Sequence, residues 1–271
     1  MSPTVEVRCG PLAYDEVGAG RGFLWGHGLS SSRAEEDTTG LLGAWRFPPD
    51  EVRRVRYDAR GHGGSPGPAD PAAYRWDELA RDQLALADAL GVERYVAAGA
   101  SMGCATALHA AVLAPERVAA LVLAIPPTAW DTRPAQRALY EAGADLIDVE
   151  GLAAFAEVSA LAPPPKLFAG LGLDWGAQAR QRALALDAAT FPSVLRGAAA
   201  SDLPDADAVA AITVPTLILA WTGDDTHPVS TAERLAELLP HAEAHVADDL
   251  RSILRWSALI VDFVAALPPT A

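Results

Sequence analysis

The apolar positions of this chain change period several times, and each change marks an element. Val5 to Val7 alternates weakly and predicts an edge strand, with Leu12 to Tyr14 as its hairpin partner. A short apolar run from Gly22 to Trp25 ends in Gly26-His27-Gly28, and the β-rich stretch Val52 to Tyr57 ends in Asp58-Ala-Arg60-Gly-His62-Gly-Gly-Ser65. Trp76 to Leu90 then repeats apolar residues at helical spacing until Gly91 stops it. Tyr95 to Ala98 reads as a strand running into Gly99-Ala-Ser101-Met-Gly103, followed by a helix from Cys104 to Leu113 that ends before Pro115. Val118 to Ile125 is apolar throughout, as a strand covered on both faces must be. Strand, loop and helix recur in this order, which predicts an α/β fold with a mostly parallel sheet flanked by helices.

After Pro126-Pro127 the strand period disappears. Helical texture covers Thr132 to Leu146, Leu152 to Leu161, Trp175 to Ala189 and Phe191 to Ala200, broken at Pro163-Pro164-Pro165. The strand pattern returns at Val214 to Trp221, followed by a helix from Val229 to Leu239, a strand from Ala242 to Ala247 and a helix from Ile253 to Leu267. The expected organisation is a core domain over residues 1–126 and 213–271, with a helical cap over 127–212 inserted between two late strands. No internal repeat is visible.

Composition narrows the function classes. The 271 residues are 51% hydrophobic, ample for a large core, and the net charge is −14. Charge of that sign repels phosphate backbones and anionic lipid, so nucleic-acid and membrane-surface roles are disfavoured. The first 18 residues lack a basic segment followed by an apolar one, and no apolar run reaches the roughly 18 residues of a membrane span. These features predict a cytoplasmic protein, with monomer and homodimer both open. Cys9 and Cys104 are the only cysteines; Cys104 reads as buried filler, and one bridge between them stays open. There is no dinucleotide fingerprint, P-loop or H-E-x-x-H motif, so no cofactor is expected. The nearest sequence cluster to a metal site, Asp224, Asp225 and His227, is not read as one.

The chemistry-bearing feature is Gly99-x-Ser101-x-Gly103, placed directly between a strand and a helix. A serine at such a turn is held out of the sheet, and small neighbours let strand and helix approach closely. The helix that follows aims amide groups and its positive end at a nascent oxyanion. With this elbow go the His27-Gly28 loop, Asp58-x-Arg60-Gly-His-Gly-x-Ser65, and Gly223-Asp224 leading to Pro228. Together, in order and nearly end to end, these motifs resemble the α/β-hydrolase superfamily, in its esterase, enol-lactonase and cofactor-free haloperoxidase-like branch.

The resemblance implies a covalent mechanism in which Ser101 attacks a carbonyl carbon and the amides of Leu29 and Met102 hold the oxyanion. It implies Asp224, four residues before Pro228, as the triad acid, with Asp225 as competitor. His27 is read as shaping its loop, and Asp58, Arg60 and His62 as a packed, hydrogen-bonded loop in which a buried Asp-Arg pair is retained for geometry and not for chemistry. The family base should be a histidine near Arg251-Ser252, yet no histidine follows His245. Three readings stay open. Another histidine serves: His227 in the acid loop, or His245, which reads better as a packed strand residue. Alternatively the site is damaged, or the scaffold binds a ligand without chemistry.

Trp130, Tyr140, Phe168 and Trp175 are the large cap residues assigned to a hydrophobic substrate chamber. The leading expectation is a serine hydrolase of a small, largely apolar carboxylic ester or lactone. Perhydrolase-like acyl chemistry on the same residues and a non-catalytic ligand-binding protein are the alternatives.

Overall fold

The computed structural model describes residues 2–269 apart from 9, 41 and 44, so Cys9 lies outside the described residues. Strands β1 (Thr4–Val7) and β2 (Gly10–Val17) form an antiparallel hairpin, and β2 pairs antiparallel with β4. Next come β3 (Arg21–Gly26), α1 (Arg33–Thr39), β4 (Val52–Tyr57), α2 (Trp76–Ala89), β5 (Tyr95–Ala100), α3 (Met102–Leu113) and β6 (Val118–Ala124). From β4 onward across the sheet every pairing is parallel, in the order β1-β2-β4-β3-β5-β6-β7-β8. The chain is thus an α/β fold with a mostly parallel, eight-stranded sheet.

Between β6 and β7 (Thr216–Trp221) lies a helical insertion: α4 (Arg133–Glu150), α5 (Leu152–Ala160), α6 (Trp175–Leu184), α7 (Phe191–Ala199) and α8 (Ala206–Ala210). Its last part returns to the sheet, because Leu203, Val209 and Ile212 pack in the same core as α2 and α3. The chain closes with α9 (Val229–Leu238), β8 (Ala242–Ala247), α10 (Leu250–Leu254) and α11 (Trp256–Ala266). No helix among the described residues is long and apolar enough to cross a membrane.

Alternation along the strands decides which helices cover which face. Leu24 points to the side of α2, α3 and α9, where Leu79, Leu86, Leu108 and Leu235 are buried. Phe23 and Trp25 point to the other side, with Trp256, Ile260 and Val264 of α11. α1 joins this second layer, where Trp25 Nε1 donates to both carboxyl oxygens of Glu36 at 3.0 Å. Burial raises the Glu36 carboxyl to about 8 despite that bond.

Local chemistry explains where elements depart from the periodicity. Helix α1, which the pattern did not predict, starts at Ser32, whose side chain accepts from the Glu35 amide. The helix expected to reach Ala189 stops at Leu184; beyond it the Asp187 carboxylate takes the Ala189 amide and the Thr190 hydroxyl, a local turn that competes with helix. The C-terminal helix begins early at Leu250, capped by Asp249, and is interrupted at Arg255.

Candidate active site

Ser101 sits between β5 and α3 with φ 51° and ψ −109°, a conformation costing a non-glycine residue about 1–3 kcal/mol. The surroundings enforce it. A Cβ on Gly103 would lie 2.0 Å from the Gly26 carbonyl oxygen, and one on Gly99 would lie 2.5 Å from the Gly103 carbonyl carbon. Only glycine at both positions lets α3 approach β3 and β5 this closely. The Ser101 amide donates to Ala124 O at 3.0 Å, and its carbonyl accepts from Cys104 N at 2.9 Å. Cys104 is buried, with Sγ 3.2 Å from Gly99 O and 3.0 Å from Ala124 O, and burial pushes its thiol up. The Ser101 side chain lies at the carboxyl-terminal edge of the sheet, in a residue only 8% exposed.

The loop after β7 brings the second half of the site to the same edge. His227 Nε2 is 2.9 Å from Ser101 Oγ, and His227 Nδ1 is 2.8 Å from Asp224 Oδ2. Asp224 Oδ1 accepts the Thr226 amide at 3.0 Å, and Oδ2 also accepts Trp221 Nε1 at 2.8 Å. Burial alone would raise this carboxyl. The His227 hydrogen bond and charge, with the Trp221 and Thr226 donors, outweigh it and bring Asp224 down to about 2. Asp224 therefore stays ionised and acts as an acceptor towards His227 Nδ1–H, which leaves Nε2 to accept from the serine hydroxyl. Asp225 is exposed and takes no part in this network.

The loop after β3 lies against the elbow, since a Cβ on Gly28 would be 3.5 Å from Ser101 Cβ. Met102 opens α3, so its amide has no carbonyl one turn earlier to donate to. The Leu29 amide donates to no acceptor among the described residues. His27 shapes this loop: Nε2 accepts the Ala59 amide at 3.0 Å and Nδ1 donates to Gly28 O at 2.8 Å, while burial lowers its proton affinity.

The Asp58 loop is packed and hydrogen-bonded, with a different pairing from the one its sequence suggests. Asp58 binds Arg33, through the amide at 2.9 Å and Nη2 at 3.1 Å, whereas Arg60 pairs with Asp82 of α2. His62 is buried against His27, with ring centroids 5.1 Å apart, and burial first and the neighbouring imidazole second lower it to about 3.

The remaining sequence candidates fall into two groups. Phe168 meets Trp221 edge-on at 5.1 Å and Trp175 at 5.4 Å, which places both on the acid-loop side of the cap. Trp130 and Tyr140 stand at the root of the cap. Trp130 donates Nε1 to Pro204 O at 3.1 Å, and Tyr140 lies 5.3 Å from the Arg133 guanidinium, itself buried over Trp76. His245 is half-exposed on the edge strand β8 and bonds Glu243 at 2.7 Å. Near Arg251-Ser252 the chain is occupied by the start of α10, where the Ser252 amide donates to Asp249 Oδ1 at 2.7 Å. Sequence reasoning missed Trp221 altogether. Its position at the end of a buried strand, three residues before an acid, was the available signal.

Comparison with known proteins agrees with the fold. Residues 48–254 match the family model described as the alpha/beta hydrolase fold. The chain is 33% identical over 247 residues to a putative carbamate hydrolase RutD of Variovorax paradoxus (strain S110), covering 87% of this chain and 86% of the relative. It is 29% identical over 207 residues to 3-oxoadipate enol-lactonase 2 of Acinetobacter baylyi, covering 73% and 72%. Among solved structures, the enol-lactonase from Burkholderia xenovorans LB400 superposes with a TM-score of 0.79 at 22% identity, covering 97% of this chain and 100% of that one. A thermophilic esterase from Thermogutta terrifontis superposes with 0.81 at 23%, covering 98% and 99%. The chain belongs to the alpha/beta hydrolase fold family.

Proposed function

We propose that this protein is a serine hydrolase acting on a small, largely apolar carboxylic ester or lactone, with Ser101 as nucleophile, His227 as base and Asp224 as acid. The observation that carries the reading is the relay of 2.9 Å from Ser101 Oγ to His227 Nε2 and 2.8 Å from His227 Nδ1 to Asp224 Oδ2. Such a relay is recognised by geometry and roles and not by chain position, so a base three residues after the acid serves as well as one near the C-terminus.

In the first step Ser101 Oγ bonds to the carbonyl carbon while its proton passes to His227 Nε2. Ionised Asp224 stabilises the imidazolium through Nδ1–H. The carbonyl oxygen takes the negative charge between the Leu29 and Met102 amides, aided by the positive end of α3. On collapse His227 returns the proton to the leaving alkoxide, which in a lactone stays attached to the acyl group. Water, deprotonated by His227, then attacks the acyl carbon; on collapse the bond to Ser101 Oγ breaks, Oγ takes the proton back from His227 Nε2, and the acid leaves. The proposal assigns Phe168 and Trp175, on the acid side, and Trp130 and Tyr140, at the cap root, to an apolar chamber for the substrate. The likeness to a putative carbamate hydrolase favours carbamates as a second acyl class, since their carbonyl presents the same electrophile.

The test is intact-mass labelling with a fluorophosphonate beside turnover of p-nitrophenyl butyrate, a lactone panel and an aryl carbamate. Single rapid labelling, lost in Ser101→Ala and greatly slowed in His227→Ala, is expected. A folded protein inert to the label and to every acyl substrate would leave the ligand-binding alternative.

A further inference from the structure

In this arrangement the acid and the base share one short loop, which raises a positioning problem. Two of the three donors to the Asp224 carboxylate, the Thr226 amide and His227 Nδ1, belong to residues of that same loop. Their hydrogen bonds fix acid and base relative to one another and do nothing to fix either relative to Ser101. Among the described residues the loop backbone is tied to the rest of the protein through the Thr222 amide, which donates to Ala247 O at 3.0 Å, through Gly223 O, which accepts the Lys166 amide at 3.1 Å, and through Thr226 O, which accepts the Thr128 amide at 3.2 Å. These are backbone bonds, and none of them restrains rotation of the carboxylate.

The third donor is of a different kind. Trp221 is the last residue of β7, and its indole is buried in contact with two aromatic rings. It stacks on Trp256 of α11 at 5.5 Å and 10°, and it meets Phe168 of the cap edge-on at 5.1 Å and 88°. Its Nε1 reaches Asp224 Oδ2 at 2.8 Å, the same oxygen and the same distance as His227 Nδ1. An indole has one polar atom and two side-chain torsions, so packing against Trp256 and Phe168 restricts the direction in which that N–H points. Two donors on one carboxylate oxygen use both of its in-plane lone pairs, which sets the plane of the carboxylate.

We infer that Trp221 is a positioning residue for the reaction: its indole N–H anchors the loop-borne Asp224–His227 pair to the sheet and keeps His227 Nε2 in register with Ser101 Oγ. This rests on the reading of Ser101, His227 and Asp224 as the reacting set. Through Phe168 the same indole touches the cap.

The deciding experiment replaces Trp221 by β-(3-benzothienyl)alanine in the full chain, which keeps the ring shape and exchanges the N–H for sulfur; Trp221→Phe is run beside it. With p-nitrophenyl butyrate, kcat falls about tenfold, the effect of one lost charge-assisted hydrogen bond, while KM stays within about twofold. The hydrogen-bonded Nδ1 proton of His227 shifts in the NMR spectrum, because it becomes the only side-chain donor on Oδ2. Packing loss alone moves neither signal in the isosteric variant. Unchanged kcat and an unchanged proton resonance in the benzothienyl protein overturn the inference. Ser101→Ala and His227→Ala are labelled with fluorophosphonate in the same series. If His227→Ala labels at the wild-type rate, the reacting set itself is wrong and the role of Trp221 falls with it. If His227→Ala is inert and the benzothienyl protein behaves as wild type, only the positioning role falls.

Discussion

The two halves of the candidate site are built in opposite ways. Ser101 is fixed by the backbone: a left-handed residue between a buried strand and a buried helix, with glycines where no Cβ fits. Asp224 and His227 are fixed by side chains on a loop, with side-chain exposures of 9% and 16%, and their geometry rests on hydrogen bonds more than on packing. Close-packed backbone tolerates almost no substitution but needs no particular chemistry nearby. A hydrogen-bonded loop tolerates backbone change and fails when a donor or acceptor is lost. Among the described residues the Asp224 carboxylate has one side-chain donor from outside that loop, the Trp221 indole at the end of β7.

The largest expected effects fall on the chemistry that joins the halves. Ser101→Ala and His227→Ala should each lower kcat by about 10⁶, read with p-nitrophenyl butyrate, with folding unchanged by circular dichroism. Asp224→Asn should cost about 10⁴, because an amide facing Nδ1 favours the wrong imidazole tautomer. The backbone half breaks differently. Gly103→Ala forces a Cβ against the Gly26 carbonyl and should destabilise the fold by about 3 kcal/mol in urea titration.

Smaller effects sharpen the contrast. Asp224 is held at about 2, below its ordinary 3.8, so its stabilisation is fully present above about pH 4 and lost as pH falls towards 2. That amounts to about 2 kcal/mol, measured as the pH dependence of the urea midpoint, and it should be absent in Asp224→Asn. Asp225→Asn, at the exposed neighbour, should change kcat less than about twofold, which separates the two adjacent acids.

Legibility followed the same division. Strands β3, β5, β6 and β7 are short apolar runs bounded by glycine or proline, and the glycines around Ser101 announce a strand-to-helix turn. Helix α1 was also encoded, in Ser32-x-x-Glu35, but its apolar face is too short to give a period. The pairing of Asp58 with Arg33 and of Arg60 with Asp82 was not readable, because proximity in sequence suggested Asp58 with Arg60. Nor could sequence choose among the histidines. Ser101 and His227 are 126 residues apart, and their approach depends on the order of β5, β6 and β7 in the sheet and on how the loop turns at Gly223.

By itself the sequence determined the α/β alternation, the inserted helices, the strained turn at Ser101 and the presence of an acid before Pro228, since these follow from local periodicity and local sterics. Only the tertiary structure decided which imidazole meets the serine hydroxyl, which donors hold Asp224 ionised, and that an indole from β7 ties the acid loop to the sheet. Those are contacts between side chains brought together from different strands, and no local pattern records the directions in which such side chains point.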